Sequence, residues 1–433
     1  MVRKRLVKNA ISFLSMSILR KQGATLINQG VVSASNFLTG IFIGRACTKD
    51  EFGLYILGFS IVLFVLDLQI SLVSTPYMVY SPRLKGLSLR LYRGSSLTHQ
   101  VALSIIVMLV LMMLGSAASL GFGPPGLASV VWALVITIGF IMVREFVRRI
   151  CFADLRMEIA LFFDLCVATI QIGGLFFLAQ RGFLSAVRAY WVIGFACGVA
   201  SAGWLFLNRA AFKIQISQAI SDINHNWTFG KWVFASGILW AISMNLYPWF
   251  LTFFHGAASA GVWGACLGVL ALANVPLVGI QNFIGPKISN VYVEGGKTDL
   301  RHFAFKSSLF FCITMGIMCC AFFLVGDPLL GLLYGNKYIG NGLVVFTLAL
   351  GLIPASVAFS FSRALFAMER ADVDFKVNFV ALFILFSFGI WFVRSFGPLG
   401  AAYGLLMANA VASVVRWLSF AILSRPSTIS ASR

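Results

Sequence analysis

Five ionisable side chains occupy positions that a lipid-facing stretch does not ordinarily tolerate. Asp67 and Asp164 lie inside long apolar runs, Arg363 lies near the end of another, and Arg45 and Arg188 stand at run boundaries. An ionisable group inside such a run is expensive and marks a pathway or relay by default. Arginine presents a planar donor fork suited to an anion, and an isolated carboxylate can take up a cation or a proton. That is the chemistry of binding and passage. The plainer reading has each Arg snorkelling to the interface and each Asp pairing with a neighbouring helix; Asp164, close to Arg156 and Glu158, suits pairing best. An uncharged set, Asn28, Gln29, Asn36, Asn245 and Asn409, can hydrogen-bond a polar cargo or join helix to helix. Trp240, Tyr247 and Trp249 offer aromatic faces, with Trp249 also placed to anchor at the interface. Pro248, Pro276 and Pro354 fall within apolar runs, where each removes a backbone hydrogen bond and bends a helix. They are hinge candidates.

The elements that hold these residues follow from composition. Of 433 residues, 60% are hydrophobic and 11% are charged, against about 25% charged in a soluble domain. Too little polar surface remains for a water-soluble body. This excludes a soluble enzyme, a disordered chain and a disulfide-stapled domain. Runs long enough to span a bilayer occur at 24–44, 53–75, 98–121, 127–143, 159–180, 186–207, 231–254, 259–284, 305–326, 341–368, 376–394 and 398–422. The expected fold is an all-α polytopic membrane protein of about twelve transmembrane helices.

The formal charge of +19 would suggest nucleic acid in a soluble protein, but here the basic residues punctuate the apolar runs. Counted over alternate connections, 27 of the 33 Lys and Arg fall on one side and six on the other. By the positive-inside rule, both termini are expected in the cytoplasm. The N-terminal segment 1–22 is basic, with Leu6, Ala10, Phe13, Leu14 and Ser17 at helical spacing. It reads as a surface-lying amphipathic helix, not as a removed signal peptide. Eight cysteines form no disulfide framework or CxxC pair, and four dispersed histidines give no metal site. A GxxxxGK[ST] loop is absent, so no nucleotide cofactor is expected. The nearest approach to paired carboxylates is Glu369, Asp372 and Asp374 on a connection, read as a solvated turn. Every connection is short, which disfavours an enzyme with a large outward-facing loop.

Twelve runs divide evenly, giving an amphipathic helix (1–22), an N-terminal six-helix lobe (23–210), a C-terminal six-helix lobe (211–424) and a cytoplasmic tail (425–433). An internal repeat is visible across the halves. Asn36 precedes Gly53 by 17 residues and Asn245 precedes Gly261 by 16, and Gly53-Leu54-Tyr55 and Gly261-Val262-Trp263 each open the next helix.

Residues 28–60, NQGVVSASNFLTGIFIGRACTKDEFGLYILGFS, resemble the opening of the polysaccharide or O-antigen flippases, the Wzx-like branch of the multidrug/oligosaccharidyl-lipid/polysaccharide exporter superfamily. The resemblance continues through 245–289, LLYGNKYIGNGL at 332–343 and FGPLGAAYGLLMAN at 396–409, in order along nearly the whole chain. It implies two six-helix lobes around a central cavity that opens alternately to either face of the bacterial inner membrane. The implied cargo is an oligosaccharide on undecaprenyl pyrophosphate, moved to the periplasmic leaflet for O-antigen, capsule or exopolysaccharide synthesis. A polysaccharide polymerase and chain-length proteins are the implied protein partners. On this reading Arg45, Arg188 and Arg363 hold phosphate, and Asp67 or Asp164 binds a coupling cation or proton. Asn36 and Asn245 bond sugar hydroxyls, and Trp240 stacks on a sugar face. A cation-coupled multidrug antiporter of the same superfamily is the nearest competitor. The peptidoglycan-precursor flippases and a membrane enzyme acting on polyprenyl-linked sugars come after it.

Overall fold

The computed structural model describes the backbone of residues 2–424, and side chains from residue 23 apart from positions 275, 286, 371, 374 and several within 228–240. The side chains of the N-terminal segment 1–22, the tail 425–433 and the Trp240 side chain lie outside the described residues. Among the described residues there is helix and no strand. The first half of the chain forms α1 (Val2–Ala46), α2 (Lys49–Gln69), α3 (Thr75–Tyr80), α4 (Gly86–Ser119), α5 (Leu127–Ala153), α6 (Met157–Gln180) and α7 (Ala186–Leu207). The second half forms α8 (Ile216–Asn245), α9 (Tyr247–His255), α10 (Ala257–Tyr334), α11 (Gly342–Ala367), α12 (Ala371–Ile384) and α13 (Ile390–Leu423).

Two of these helices are each two helices joined across a break, and glycine explains both. α10 turns back at Gly296 (φ 64°, ψ −154°), and α13 breaks at Gly397 (φ 56°, ψ −132°). Positive φ carries no steric penalty at glycine, and Pro398 then opens the following helix. The two breaks fall between the expected eighth and ninth runs, and between the eleventh and twelfth. A π-helical turn, Ile70–Ser74, joins α2 to α3, and a second, Leu385–Gly389, joins α12 to α13. Such turns re-aim the side chains that follow.

The chain divides into two compact units, Met1–Cys47 with Ile61–Ile238, and Thr48–Ser60 with Leu239–Arg433. In the first, α1 packs on α6, and α5 packs on both α4 and α7. One of its cores gathers Val73, Tyr77, Tyr92, Phe146 and Ile150. In the second, α11 packs between α10 and α13 around Ile288, Phe311, Phe361, Leu365 and Phe420. The start of α2 belongs with this unit, where the Asp50 Oδ1 accepts from the Ala258 N–H at 3.1 Å and caps the first turn of α10. Large apolar side chains such as Phe162, Phe195, Leu207 and Phe253 face outward. A bilayer is the medium in which such a surface is at home.

The prolines occupy different situations. The helix breaks at Leu246, and Pro248 stands in the first turn of α9, where a missing N–H costs nothing. Pro354 lies inside α11, and Pro276 within the first arm of α10.

Candidate functional site

The last turns of α5 carry Arg144, Glu145, Arg148 and Arg149, a spacing that sets Arg144 with Arg148 and Glu145 with Arg149 on shared faces. Opposite them, two turns into α6, stands Asp164, whose side chain is 0% exposed. Arg144 donates to Asp164 through its Nη2, and the Arg148 Nε lies 3.0 Å from the second carboxylate oxygen. Glu145, also buried, accepts from the Arg149 Nε at 2.7 Å and from the Arg148 Nη1 at 3.3 Å. Each buried carboxylate would cost several kcal/mol alone, and here each is held by more than one guanidinium. Three arginines face two carboxylates, so the cluster keeps an excess positive charge.

α1 reaches the same cluster. The Gln29 Oε1 lies 3.5 Å from the Arg148 Nη2. Its neighbour Asn28 is 1% exposed, and both its amide nitrogen and its amide oxygen lack a hydrogen-bond partner among the described residues. Buried amides are paired as a rule. Further along α1, the Thr39 hydroxyl accepts from the Gln171 amide of α6 at 2.8 Å.

A second ionic site lies in the same unit. The Arg93 Nη2 contacts both oxygens of Asp154 at 2.6 and 2.7 Å, while its Nε donates to the Tyr77 hydroxyl at 3.1 Å. Tyr77 stacks on Tyr92 with rings 6.0 Å apart, and the Tyr92 hydroxyl donates to Asn226 at 2.9 Å. Beside Arg93 and Asp154 is a cleft of about 230 Å³ lined also by Arg156, Trp204, Asn208 and Phe212.

The residues singled out from sequence fall in several places. Asp164 meets Arg144 and Arg148 across α5, in place of the Arg156 and Glu158 expected beside it. Asp67 is half-buried on α2, three residues before the π-helical turn, and has no ion-pair partner among the described residues. Arg45 is exposed in the last turn of α1. Arg188 is exposed at the start of α7, where its guanidinium donates to the Phe183 carbonyl at 2.5 Å and lies over the Phe183 ring. Arg363 is exposed near the end of α11, with its guanidinium 5.0 Å from the Phe359 ring centre and 5.8 Å from that of Phe366. Asn36 is exposed on α1, and the Asn245 amide donates to the Ala241 carbonyl of its own helix. The structure thus brings Asp164 into a cluster and leaves the other charged candidates separate within their units.

The aromatic and amide readings sharpen. Tyr247 is buried in the second unit against Trp263, so its ring is closed to a sugar. The Trp249 indole donates to the Ser60 hydroxyl at 2.8 Å, which ties α9 to α2. Asn409 donates to the Gly351 carbonyl at 3.3 Å and joins α13 to α11. Asp372 is exposed and paired bidentately with Arg370, whose hydrogen bonds hold its carboxyl below the usual carboxylate range. Among the described residues, no group of three His, Cys, Asp or Glu could hold a metal ion.

Sequence reading passed over Arg144, Glu145, Arg148 and Arg149 as topology charges because the apolar run ends at 143. α5 continues to Ala153. The signal available was the paired i,i+4 spacing itself, Arg144 with Arg148 and Glu145 with Arg149, which a loop would not need.

Comparison with known proteins adds the fold. A multidrug-resistance MATE transporter of the MOP superfamily, in an inward-facing conformation, superposes with a TM-score of 0.75 at 16% identity, over 90% of this chain and 94% of that one. The lipid II flippase MurJ, inward closed, gives 0.73 at 14% identity over 93% and 87%. A MOP-superfamily transporter from Pyrococcus furiosus gives 0.62 at 17% identity over 94% and 95%. In sequence, the capsular polysaccharide biosynthesis protein CapF of Staphylococcus aureus is 24% identical over 161 residues, 37% of this chain. That match spans 40% of CapF's length. No family model matches the chain. At these identities the likeness is one of architecture: the chain is a multi-pass membrane protein with the fold shared by the multidrug-resistance MATE transporter and the lipid II flippase.

Proposed function

We propose that the protein is a flippase of the bacterial inner membrane that carries undecaprenyl-pyrophosphate-linked oligosaccharide from the cytoplasmic to the periplasmic leaflet by alternating access, with both termini cytoplasmic. The observation that carries this reading is the sign of the buried charge. The α5–α6 cluster holds three arginines against two carboxylates, an environment that favours an anionic head group over a cationic drug. The segment match to a capsular polysaccharide biosynthesis protein and the fold shared with a lipid II flippase support the same cargo class.

In this reading Arg45, Arg188 and Arg363 meet phosphate at successive stages, Asn36, Asn245 and Trp240 meet sugar, and Pro248, Pro276 and Pro354 mark where helices bend. An anionic head group leaving the negative cytoplasmic side moves with the membrane potential, which favours it by about 2.3 kcal/mol per charge per 100 mV; Asp67 is the residue assigned to a coupling ion. A polysaccharide polymerase and chain-length proteins would act on the product. The second reading, a cation-coupled multidrug antiporter, draws on the same Asp67, a half-buried carboxylate without an ion-pair partner among the described residues.

The experiment is lipid-linked glycan analysis in a strain lacking the gene, with an upstream glycosyltransferase deletion as control. The expected result is accumulation of completed undecaprenyl-pyrophosphate oligosaccharide in the cytoplasmic leaflet. No accumulation, together with new sensitivity to cationic drugs, selects the antiporter.

A further inference from the structure

A cleft in the second unit lies apart from the ionic sites described above. Where α10 turns back at Gly296, residues 279–287 of its first arm and 303–310 of its second line an open cleft of about 470 Å³. Its walls are mainly apolar, built from Ile280, Phe283, Phe303 and Phe310, and two cations enter it, Lys287 and Lys306. Lys287 is nine residues before the turn and Lys306 ten after it, which sets both at a similar depth, roughly 13–15 Å along their helices. The Lys287 ammonium lies 5.3 Å from the Phe283 ring centre and 5.5 Å from that of Phe303. Neither lysine pairs with a carboxylate among the described residues, although Arg93, Arg144, Arg148, Arg149 and Arg370 each hold one closely.

Two like charges beside aromatic walls repel each other, and an anion between them relieves that cost. The phenylalanine rings then provide a surface for a hydrocarbon chain. The cleft is open, so it seats a phosphate and part of one hydrocarbon chain while the rest of the ligand stays outside it. Basic pockets between membrane helices select phosphate head groups on this physical basis. We propose that this cleft binds an anionic phospholipid of the surrounding membrane, its phosphodiester between Lys287 and Lys306 and an acyl chain along Phe283, Phe303 and Phe310. The site stands whichever cargo the protein carries.

The test uses the full chain purified in detergent and native mass spectrometry, with phosphatidylglycerol, phosphatidylethanolamine, undecaprenyl phosphate and inorganic phosphate as probes. Phosphatidylglycerol is expected to bind at least tenfold more tightly than phosphatidylethanolamine. The Lys287→Gln/Lys306→Gln double variant should lose that preference, and Lys287→Arg/Lys306→Arg should keep it. Gly279→Leu provides a charge-neutral check: a Cβ at Gly279 meets no atom within 4 Å, so the new side chain enters the cleft and should weaken binding severalfold. Equal binding of the two phospholipids, or an unchanged preference in the Gln variant, would overturn the site. Displacement of phosphatidylglycerol by inorganic phosphate at equal concentration would reduce it to a simple anion site. Tighter binding of undecaprenyl phosphate than of phosphatidylglycerol would overturn the assignment to a membrane phospholipid.

Discussion

Gly53 and Gly261 meet backbone to backbone, and each occupies the place where the other helix's carbonyl needs room. A Cβ added to Gly53 would lie 1.8 Å from the Ala257 carbonyl oxygen, and one added to Gly261 would lie 2.3 Å from the Lys49 carbonyl oxygen. Ala257 is four residues before Gly261, and Lys49 is four residues before Gly53. The contact is therefore reciprocal, as residues related by a local two-fold axis must be. The two positions are also those matched by the internal repeat in the sequence.

Substitution at either glycine should be destabilising to a similar degree. Gly53→Val or Gly261→Val forces α2 and α10 apart at a backbone contact, and overpacking of this kind costs about 1–3 kcal/mol. Because both changes disturb one contact, the double variant should cost less than the sum. Thermal unfolding of the detergent-purified variants measures this, and strictly additive shifts would contradict a shared contact.

Asp164→Asn should weaken folding, because it removes the charged partner of Arg144 and leaves Arg148 with Glu145 alone. Breaking one member of a buried pair typically costs about 3–5 kcal/mol. Adding Arg144→Gln to that variant should recover part of the loss. Yield and melting temperature of the three variants decide the matter, and a stable Asp164→Asn protein would show that the cluster does not hold α5 to α6.

Asp67→Asn should behave in the opposite way. With no ion-pair partner among the described residues, Asp67 contributes little to packing, so the variant should fold normally and fail to restore surface polysaccharide in the deletion strain. Full complementation would remove Asp67 from ion coupling.

Arg363→Gln tests phosphate recognition in the second unit. A hydrogen bond to a charged group contributes about 1.5–3 kcal/mol, so transport should fall by roughly ten- to a hundredfold with an unchanged melting temperature. Transport at the normal rate would return Arg363 to a merely interfacial role over Phe359 and Phe366.

Fold class was legible because hydrocarbon imposes long apolar runs, and these survive any detail of packing. Helix ends were not, since a helix leaving the bilayer needs no apolar residues: α5 runs ten residues past the apolar stretch that ended at 143. The ionic cluster stayed hidden for the same reason, its arginines resembling topology signals until α6 supplied Asp164. Asp164 itself stood out, but its partners came from the preceding helix and not from its sequence neighbours. The burial of Tyr247 was not legible because aromatic residues of core and surface look alike in sequence. Gly53 and Gly261 were visible as a repeat, yet only the crossing of α2 with α10 explains why both are glycine.

The Arg144–Asp164 pair also bears on how the protein is made. A lone aspartate in a membrane helix resists insertion by about 2.5–3.5 kcal/mol at the helix centre. Only Asp154, Leu155 and Arg156 separate α5 from α6, so Asp164 emerges from the ribosome soon after the arginines that neutralise it. α5 and α6 can then enter the bilayer as a single hairpin with their charges already matched. The order of synthesis thereby solves a problem that either helix would face alone.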